Sequence, residues 1–302
     1  MIVILGPTGT GKSEIGINLA HKIDGEIINA DSRQIYRGMT IGTAKPNLEN
    51  TKSVPHHLFD CKDPDENFSV FEFKGLVSDA ACEIQSRGKI PILVGGTGQY
   101  LIALLENWTL DGGPPNPQLR EHLSDRLSRL GLENLVEELT NTSPDLANII
   151  DLHNPRRVIR ALEKIHNTDN YAKISLQNGL HDLGNVPIFG IQMPRNRLYL
   201  QVDSRADDMI RNGWIPETQT LLDSGYGTDL SAMGGIGYKE ISEYLLGNST
   251  WAFCISKIKS RTHRLIRTQS NWFRRIDRSV TWFDSHESNP EKISDQISRL
   301  MT

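Results

Sequence analysis

The sequence predicts an α/β fold, with a P-loop parallel sheet core and a helical insertion domain. Three observations predict it. A glycine-rich loop follows the first apolar run, short apolar runs alternate with helical periods over about residues 1–112, and only helical periods occur over about residues 118–180. At 302 residues, the chain suits one large domain or one domain that carries a smaller insertion.

The first element is a buried strand over Ile2 to Leu5, because this apolar run is too short for a helix and is followed by Gly6. The next stretch, "GPTGTGKS", matches G-x-x-x-x-G-K-[ST]. In this pattern backbone amides point into a concavity, Lys12 adds a positive charge and Ser13 can hold Mg²⁺. The following helix directs its positive end at the same place. An anionic ligand is the predicted occupant.

Two further strands are predicted before residue 112. "GEIINADS" ends at Asp31, and "KIPILVGGTG" ends at Gly95. Between them, "FSVFEFKGLVSDAACEIQSRG" has the period of a helix that stops at Gly88. "VPIFGIQM" predicts one more strand, and only helices are expected from Pro194 to the end.

The segment "LDGGPPNPQ" contains two glycines and three prolines, so it predicts a hinge. Beyond it the apolar residues keep a helical period and no strand pattern intervenes. We therefore expect residues 1–112 and 186–302 to form the P-loop catalytic core, and residues 113–185 to form the helical insertion.

The composition, 37% hydrophobic and 23% charged, excludes a disordered or collagen-like chain. No apolar run approaches the ~20 residues of a membrane span, and the first strand starts at the initiator Met, so we expect a cytoplasmic protein that contacts no membrane. The three cysteines lack metal-ligand spacing and are predicted to be buried free thiols, at Cys61, Cys82 and Cys254.

The net charge of −4 does not favour a general nucleic-acid coat, but basic residues cluster locally. Trp251 to Arg278 contains eight Lys or Arg against one acid, and "NPRRVIRALEK" contains three Arg. Such faces on an acidic protein suit a specific polyanion. Ordinary solvated helix faces are the alternative.

Polar features follow three of the predicted strands, and in open parallel sheets ligands collect beyond the carboxyl ends of the strands. They are the Gly6 to Ser13 loop, Asp31 with Ser32, and Gly95 to Gly98. An ATPase usually has a Mg²⁺-binding acid at the end of a second strand, where this chain has glycines. Asp31 is therefore the acid placed at the loop, although it could instead cap a helix or support Mg²⁺ indirectly.

These motifs, in this order along nearly the whole chain, resemble those of bacterial tRNA dimethylallyltransferases, also called tRNA isopentenyltransferases. The blocks that carry the resemblance are "GPTGTGKS", "DSRQIYRGMTIGTAKP", "VPHHLFD", "DPDENFSVFEF", "GKIPILVGGTGQY", "NPRRVIRALE" and "GGIGYKE". The resemblance implies transfer of a dimethylallyl group from dimethylallyl diphosphate to the exocyclic amine of the adenosine 3′-adjacent to the tRNA anticodon. It implies Mg²⁺ as cofactor, held by Ser13, and the anticodon stem-loop as partner of a protein that we expect to be a monomer.

The resemblance also assigns residues. Asp31 is implied as the catalytic base, and Thr97 is implied in the catalytic site. The diphosphate would be bound by Gly6, Thr8, Gly9, Thr10, Gly11, Lys12, Ser13 and Arg205. The tRNA would be bound by Asp31, Ser32, Arg33, Gln34, Thr97, Arg156, Arg157, Arg160, Gly237, Tyr238 and Lys239. For Arg205, a salt bridge on a helix surface is the alternative.

Departures from the family pattern occur near the end, where Arg267, Thr268 and His263 replace other basic residues, so the phosphate contacts of that helix are open. Three other functions also stay open. They are a P-loop small-molecule kinase with Asp31 as base, a nucleotide-gated RNA-binding switch, and a prenyltransferase that acts on free AMP.

Overall fold

The computed structural model describes residues 1–46, 52–106, 116–166 and 186–301. The chain divides into two compact units. One consists of Met1–Asn107 with Asp182–Thr302, and the other is Trp108–His181. The helical period in the middle of the sequence thus corresponds to a separate compact unit, whose role in tRNA binding stays a prediction.

The first unit contains a parallel sheet with strand order β3-β2-β4-β1-β5-β6. The α/β prediction is confirmed. The strands are β1 Ile2–Leu5, β2 Gly25–Asn29, β3 His56–His57, β4 Ile90–Gly95, β5 Ile188–Gln192 and β6 Thr281–Asp284. Strand β1 lies between β4 and β5, and Leu5 is in register with Gly95 and Gly190. The loops after β1, β2 and β4 therefore meet at one edge of the sheet.

The helices, in chain order, are α1 Lys12–Ile23, α2 Val70–Ser86, α3 Gly98–Leu105, α4 Pro117–Thr142, α5 Pro144–Ile149, α6 Pro155–His166, α7 Arg195–Arg211, α8 Trp214–Asp223, α9 Tyr238–Leu245, α10 Trp251–Phe273 and α11 Pro290–Met301. The predicted helix between the second strand and "KIPILVGGTG" is α2. It starts where Ser69 accepts the N–H of Glu72, and Gly88 follows its end at a φ of 73°.

Two apolar clusters support the first unit. One packs α1 and α11 against the sheet through residues such as Ile15, Val94 and Ile297. The other surrounds Trp214 and joins α8, α9 and α10 with the loop that follows β2. The second cluster backs the polar loops at the edge of the sheet, so it fixes the walls of the site described below.

Strand β6 corrects the prediction of helices only beyond Pro194. Its four residues are half-buried or exposed, so they lack the apolar run that marks a buried strand. Only pairing with β5 in the tertiary structure defines it. Phe283 packs against Phe189 with ring centroids 6.1 Å apart, whereas Trp282 is 40% exposed.

The cysteine prediction is also partly wrong. Cys254 is buried, Cys61 is half-buried and Cys82 is exposed on α2. All three are free thiols.

The second unit is helical throughout its described part, residues 116–166. Gly131, at a φ of 82°, interrupts α4, and the two halves pack on α6 around Leu123, Leu135 and Leu162. Fully buried Glu163 accepts hydrogen bonds from the Asn116 N–H, Arg120 and Arg160. Burial raises the pKa of Glu163, but these hydrogen bonds and charges outweigh that effect and the pKa is lowered.

Among the helices of the described ranges, none is both long and apolar enough to span a membrane.

Candidate active site

The loop between β1 and α1 is held in a fixed shape by its own hydrogen bonds. Thr10 Oγ1 and Lys12 Nζ both donate to the Pro7 carbonyl, at 2.9 and 2.6 Å. Gly9, at a φ of 86°, packs so closely on α7 that an added β-carbon would lie 2.6 Å from Val202. Glycine is therefore required there both for the backbone angle and for space. The loop has the fixed, concave shape of the backbone nests that bind anions.

A cavity of about 210 Å³, here called the anion cavity, opens from this loop. It is lined by Lys12, Ser13, Asp31 and Arg205. Burial lowers the pKa of Lys12 to about 8; Asp31 opposes the shift and Arg205 adds to it. Burial also lowers the pKa of Arg205, against the charge of Asp31. Two half-buried cations that line one cavity with a single carboxylate indicate a site for an anion.

Arg205 makes no ion pair or hydrogen bond with the residues that the structure describes. The alternative of a salt bridge on the helix surface is therefore not what is found. Its half-buried side chain lines the anion cavity instead.

Asp31 follows β2 and is oriented by its neighbours. Its N–H donates to Asn29 Oδ1 at 2.8 Å, and its Oδ1 accepts the N–H of Arg33 at 2.9 Å. Oδ2 has no hydrogen-bond partner among the described residues. Thr97, after β4, accepts the N–H of Ser32 at 2.9 Å. The carboxylate is thus held in place with one oxygen free to accept a proton.

Two further cavities adjoin the first. The apolar slot, about 110 Å³, is lined mainly by Val202, Ala206, Met209, Trp214, Ile258 and Leu265. The open cavity, about 350 Å³, includes Asp31, Thr97, Arg261 and Trp272 in its walls. Thr8 and Thr43 line all three cavities. The site therefore has three compartments, namely the anion cavity, the apolar slot and the open cavity, and these two threonines form part of the wall of each.

A carboxylate fixes the loop that carries Thr43. Glu217 Oε2 accepts the N–H groups of Thr40 and Ile41, at 3.0 and 2.7 Å. Glu217 Oε1 accepts the Gly42 N–H at 3.2 Å and the Tyr238 hydroxyl at 2.6 Å. Burial, together with the charge and hydrogen bond of Glu217, raises the pKa of Tyr238. One side chain of α8 thus positions a wall that all three cavities share.

The chain also matches known proteins. The family described as IPP transferase matches residues 34–276, and the one described as isopentenyl transferase matches residues 1–61. A tRNA dimethylallyltransferase of Thermomicrobium roseum is 42% identical over 302 residues, covering 100% of this chain and 91% of its own.

The chain belongs to the tRNA dimethylallyltransferase family.

Other relatives agree with this assignment. The tRNA dimethylallyltransferase of Herpetosiphon aurantiacus is 40% identical over 93% of this chain and 89% of its own. The crystal structure of the full-length tRNA isopentenylpyrophosphate transferase of Bacillus halodurans has a TM-score of 0.73 and 38% identity, over 99% of this chain and 94% of its own. A eukaryotic dimethylallyltransferase acting on tRNA has a TM-score of 0.78 and 26% identity, over 98% of this chain and 77% of its own.

In this dimethylallyltransferase, the fold brings together most of the residues predicted for the diphosphate. Six of the predicted diphosphate residues line the anion cavity, namely Thr8, Gly9, Gly11, Lys12, Ser13 and Arg205. The side chain of Thr10 is buried and faces Pro7 instead. The Thr8 N–H is already bound, because it donates to Gln269. The structure thus leaves other amides of the loop for a ligand.

Several residues predicted to bind tRNA also brace loops. Tyr238 is 1% exposed but lines the open cavity, and Gly237 is buried, so contacts of these two residues with tRNA stay predictions. Arg33 donates to the Ser231 carbonyl at 2.7 Å, and Gln34 donates to the Thr43 carbonyl at 2.9 Å. Lys239, by contrast, is exposed.

The three arginines of the second unit differ in their exposure and in their ion-pair partners. Arg156 and Arg157 are exposed and have no ion-pair partner within residues 116–166. Arg160 pairs with buried Glu163 at 2.8 Å, so part of its role is structural. Arg156 and Arg157 thus remain as predicted RNA contacts.

The basic run of α10 is not one solvated face. Arg261 pairs with Glu240 and Lys259 pairs with Asp207, so both charges are neutralised within the first unit. Two of the family-divergent positions, His263 and Arg267, face α7, whereas Thr268 lines the open cavity. His263 bonds to Asp203 at 2.9 Å, and Arg267 donates to the Tyr199 hydroxyl at 3.0 Å.

Sequence reasoning missed three residues that shape the site: Gln201, Glu217 and Gln269. Gln269 shares a helical face with buried Ile266 and Phe273, and an amide on such a face was the available signal. Gln201 Nε2 donates to the Gly9 carbonyl at 3.0 Å. Nothing local in the sequence marks Glu217, because the amides that it binds lie in a loop far along the chain.

The anion cavity also fits Mg²⁺. Ser13 lines it, and the Ser13 hydroxyl has no hydrogen-bond partner in the described part of the chain. Among the described residues, no group of three or more His, Cys, Asp or Glu side chains is arranged to hold a metal ion. Mg²⁺ usually uses one or two protein ligands together with substrate phosphates. Ser13 with a diphosphate is such a set.

Proposed function

We propose that this enzyme transfers a dimethylallyl group from dimethylallyl diphosphate to the exocyclic amine of the adenosine 3′-adjacent to the anticodon of a tRNA. The observation that carries the proposal is the meeting of three compartments at Thr8 and Thr43. The anion cavity suits the diphosphate, the apolar slot suits the prenyl tail, and the open cavity suits a base. Each part of the reaction therefore has a compartment of matching chemistry.

The leaving group is stabilised at the β1 loop. Diphosphate oxygens would accept hydrogen bonds from the free amides of the nest, from Lys12 and from Arg205. As the bond between the prenyl carbon and oxygen breaks, its electron pair stays on the diphosphate. Preorganised donors aimed at such developing charge are worth roughly 3 kcal/mol each. Ser13 would hold Mg²⁺, which would supply further charge neutralisation there.

The nucleophile is activated at Asp31. An adenine amine is a weak nucleophile, because its lone pair is delocalised into the ring. Oδ2 of Asp31 accepts a hydrogen bond from the amine and takes its proton as nitrogen bonds to the prenyl carbon. General base catalysis of this kind contributes about 10²- to 10⁴-fold. Thr97, through the Ser32 N–H, keeps the carboxylate loop in position.

The base must leave its stack to reach Asp31. Exposed Gln99 and half-buried Trp272 line the open cavity together with Asp31, which supports an extruded base. Phosphate contacts would hold the rest of the stem-loop, and Arg156, Arg157 and Lys239 are exposed cations for this purpose.

The test is incubation of the purified protein with labelled dimethylallyl diphosphate and an anticodon stem-loop, followed by mass spectrometry of the nucleosides. We expect one adenosine to gain the five-carbon group. Asp31→Asn should lower kcat at least 100-fold and leave RNA affinity within about threefold, since it removes the base but keeps the shape. ATP turnover without modified RNA would instead support a kinase. RNA binding with no turnover would support a switch, and a product on free AMP alone would remove tRNA as substrate.

A further inference from the structure

The apolar slot has an inner end that the core closes. Along α10, Leu265 is 37% exposed, Thr262 is half-buried and Ile258 is 1% exposed. This gradient places Leu265 near the mouth and Ile258 at the inner end. Ala206, Trp214 and Ile258 belong to the cluster around Trp214, and Met209 packs against it. The inner wall is therefore backed by packed side chains.

Helix α7 gives a length scale for the slot, because two residues one turn apart on it line the slot. Arg205 lines both the anion cavity and the slot, so it marks the end where the diphosphate would lie. Met209 is one turn further along the same helix, about 6 Å away at 1.5 Å per residue. A five-carbon prenyl chain extends roughly 4 Å beyond its oxygen and a ten-carbon chain roughly 9 Å, for carbon–carbon bonds of about 1.5 Å. The shorter chain fits this depth and the longer one does not.

The volume leads to the same limit. The slot measures about 110 Å³. A dry apolar cavity of roughly 150 Å³ holds benzene, about 25 Å³ for each of its six carbons, so a slot of this size is filled by four to five carbons. Ten carbons would have to displace the inner wall, and overpacking a core of this kind is costly.

We propose that the inner wall of the apolar slot, formed by Ala206, Met209, Trp214 and Ile258, limits the transferred group to five carbons, and that Met209 is its adjustable part. The inference rests on the proposed function and adds a specificity determinant to it. Met209 is half-buried, whereas the other three are 1 to 6% exposed. Shortening Met209 therefore lengthens the slot with the least damage to the core.

The test compares dimethylallyl diphosphate with geranyl diphosphate as donors to an anticodon stem-loop, in the native protein and in Met209→Ala. In both reactions the carbon–oxygen bond breaks, nitrogen bonds to the same carbon, and diphosphate leaves. The native protein should use the ten-carbon donor at least 100-fold less well in kcat/KM. Met209→Ala should raise the ratio of geranyl to dimethylallyl transfer at least tenfold. Leu200→Ala, on the exposed side of α7, should leave the ratio unchanged.

A converse variant keeps the test decisive if Met209→Ala folds poorly. Ala206→Leu fills the slot, so kcat/KM for dimethylallyl diphosphate should fall at least tenfold while the affinity for inorganic diphosphate stays the same. Equal use of both donors by the native protein would overturn the inference. So would an unchanged ratio in folded Met209→Ala, or full dimethylallyl transfer by Ala206→Leu. Absence of any dimethylallyl transfer by the native protein would refute the proposed function instead.

Discussion

Gln269 of α10 binds the backbone of Thr8 in the β1 loop. Gln269 Oε1 accepts the Thr8 N–H at 2.9 Å, and Gln269 Nε2 donates to the Gly96 carbonyl at 2.8 Å. Gly96 leaves no room between them, since an added β-carbon would lie 2.7 Å from that nitrogen. One amide, 6% exposed, thus joins the loops that follow β1 and β4 to α10.

We expect Gln269→Leu to lower the free energy of unfolding by about 2 to 4 kcal/mol, because the buried Gly96 carbonyl loses its partner at about 1 to 3 kcal/mol and the half-buried Thr8 N–H loses its partner at about 1 kcal/mol. Urea denaturation measures this. Gln85→Leu, at an exposed position of α2, is the matched control and should cost less than about 0.5 kcal/mol. Equal losses in the two variants would mean that the bridge contributes nothing.

Binding of inorganic diphosphate should weaken at alkaline pH. Burial lowers the pKa of Lys12 to about 8, while a bound polyanion favours the charged amine. Binding therefore takes up a proton above pH 8, and Kd should rise more than about tenfold between pH 8 and about pH 10 relative to Lys12→Arg. An arginine stays protonated over this range.

Calorimetric titrations of diphosphate in buffers of different ionisation enthalpy measure this uptake. The Lys12→Arg variant also corrects for the titration of diphosphate itself. Parallel pH profiles for the two proteins would contradict the assignment to Lys12.

Glu217→Gln should destabilise the protein by about 2 kcal/mol or more. Each carboxylate oxygen accepts two donors, so in either orientation the new amide group points N–H bonds at N–H or O–H donors. Chemical denaturation should detect the loss. Glu287→Gln, an exposed position, serves as control. An unchanged stability would show that the loop carrying Thr43 does not depend on Glu217.

Arg156→Ala should affect only tRNA binding, whereas Arg160→Ala should also affect the stability of the protein. Arg156 is exposed and has no ion-pair partner within residues 116–166. Its loss should lower the slope of log Kd for tRNA against log salt concentration by about 0.7 to 0.9, without a change in stability. Loss of Arg160 removes one partner of buried Glu163 and should also lower the thermal stability of the protein. Salt titrations of binding and thermal unfolding separate the two. Identical behaviour would contradict this division.

Local patterns sufficed to predict much of the fold. The strand, glycine-rich loop and helix at the start follow from an apolar run, a fixed glycine spacing and a helical period, all set by neighbours in the chain. The helical second unit follows from the same kind of period. Strand β6 could not be predicted, because its polarity is that of a surface segment and only pairing with β5 defines it.

The residues of the site also separate into those that local sequence patterns predict and those that only tertiary contacts define. Lys12, Ser13, Asp31 and Thr97 were found in the sequence, because each stands at the end of a strand or in a dense motif, and parallel strands bring such ends to one edge. Long-range contacts decided the rest. Gln269 and Glu217 bind backbone groups that lie 261 and about 176 residues away, and the direction of a side chain such as Tyr238 depends on which carboxylate packs beside it. The sequence by itself therefore determined the chemistry present at the edge of the sheet, and the tertiary structure decided its accessibility, because burial and long-range hydrogen bonds exist only once the chain has packed.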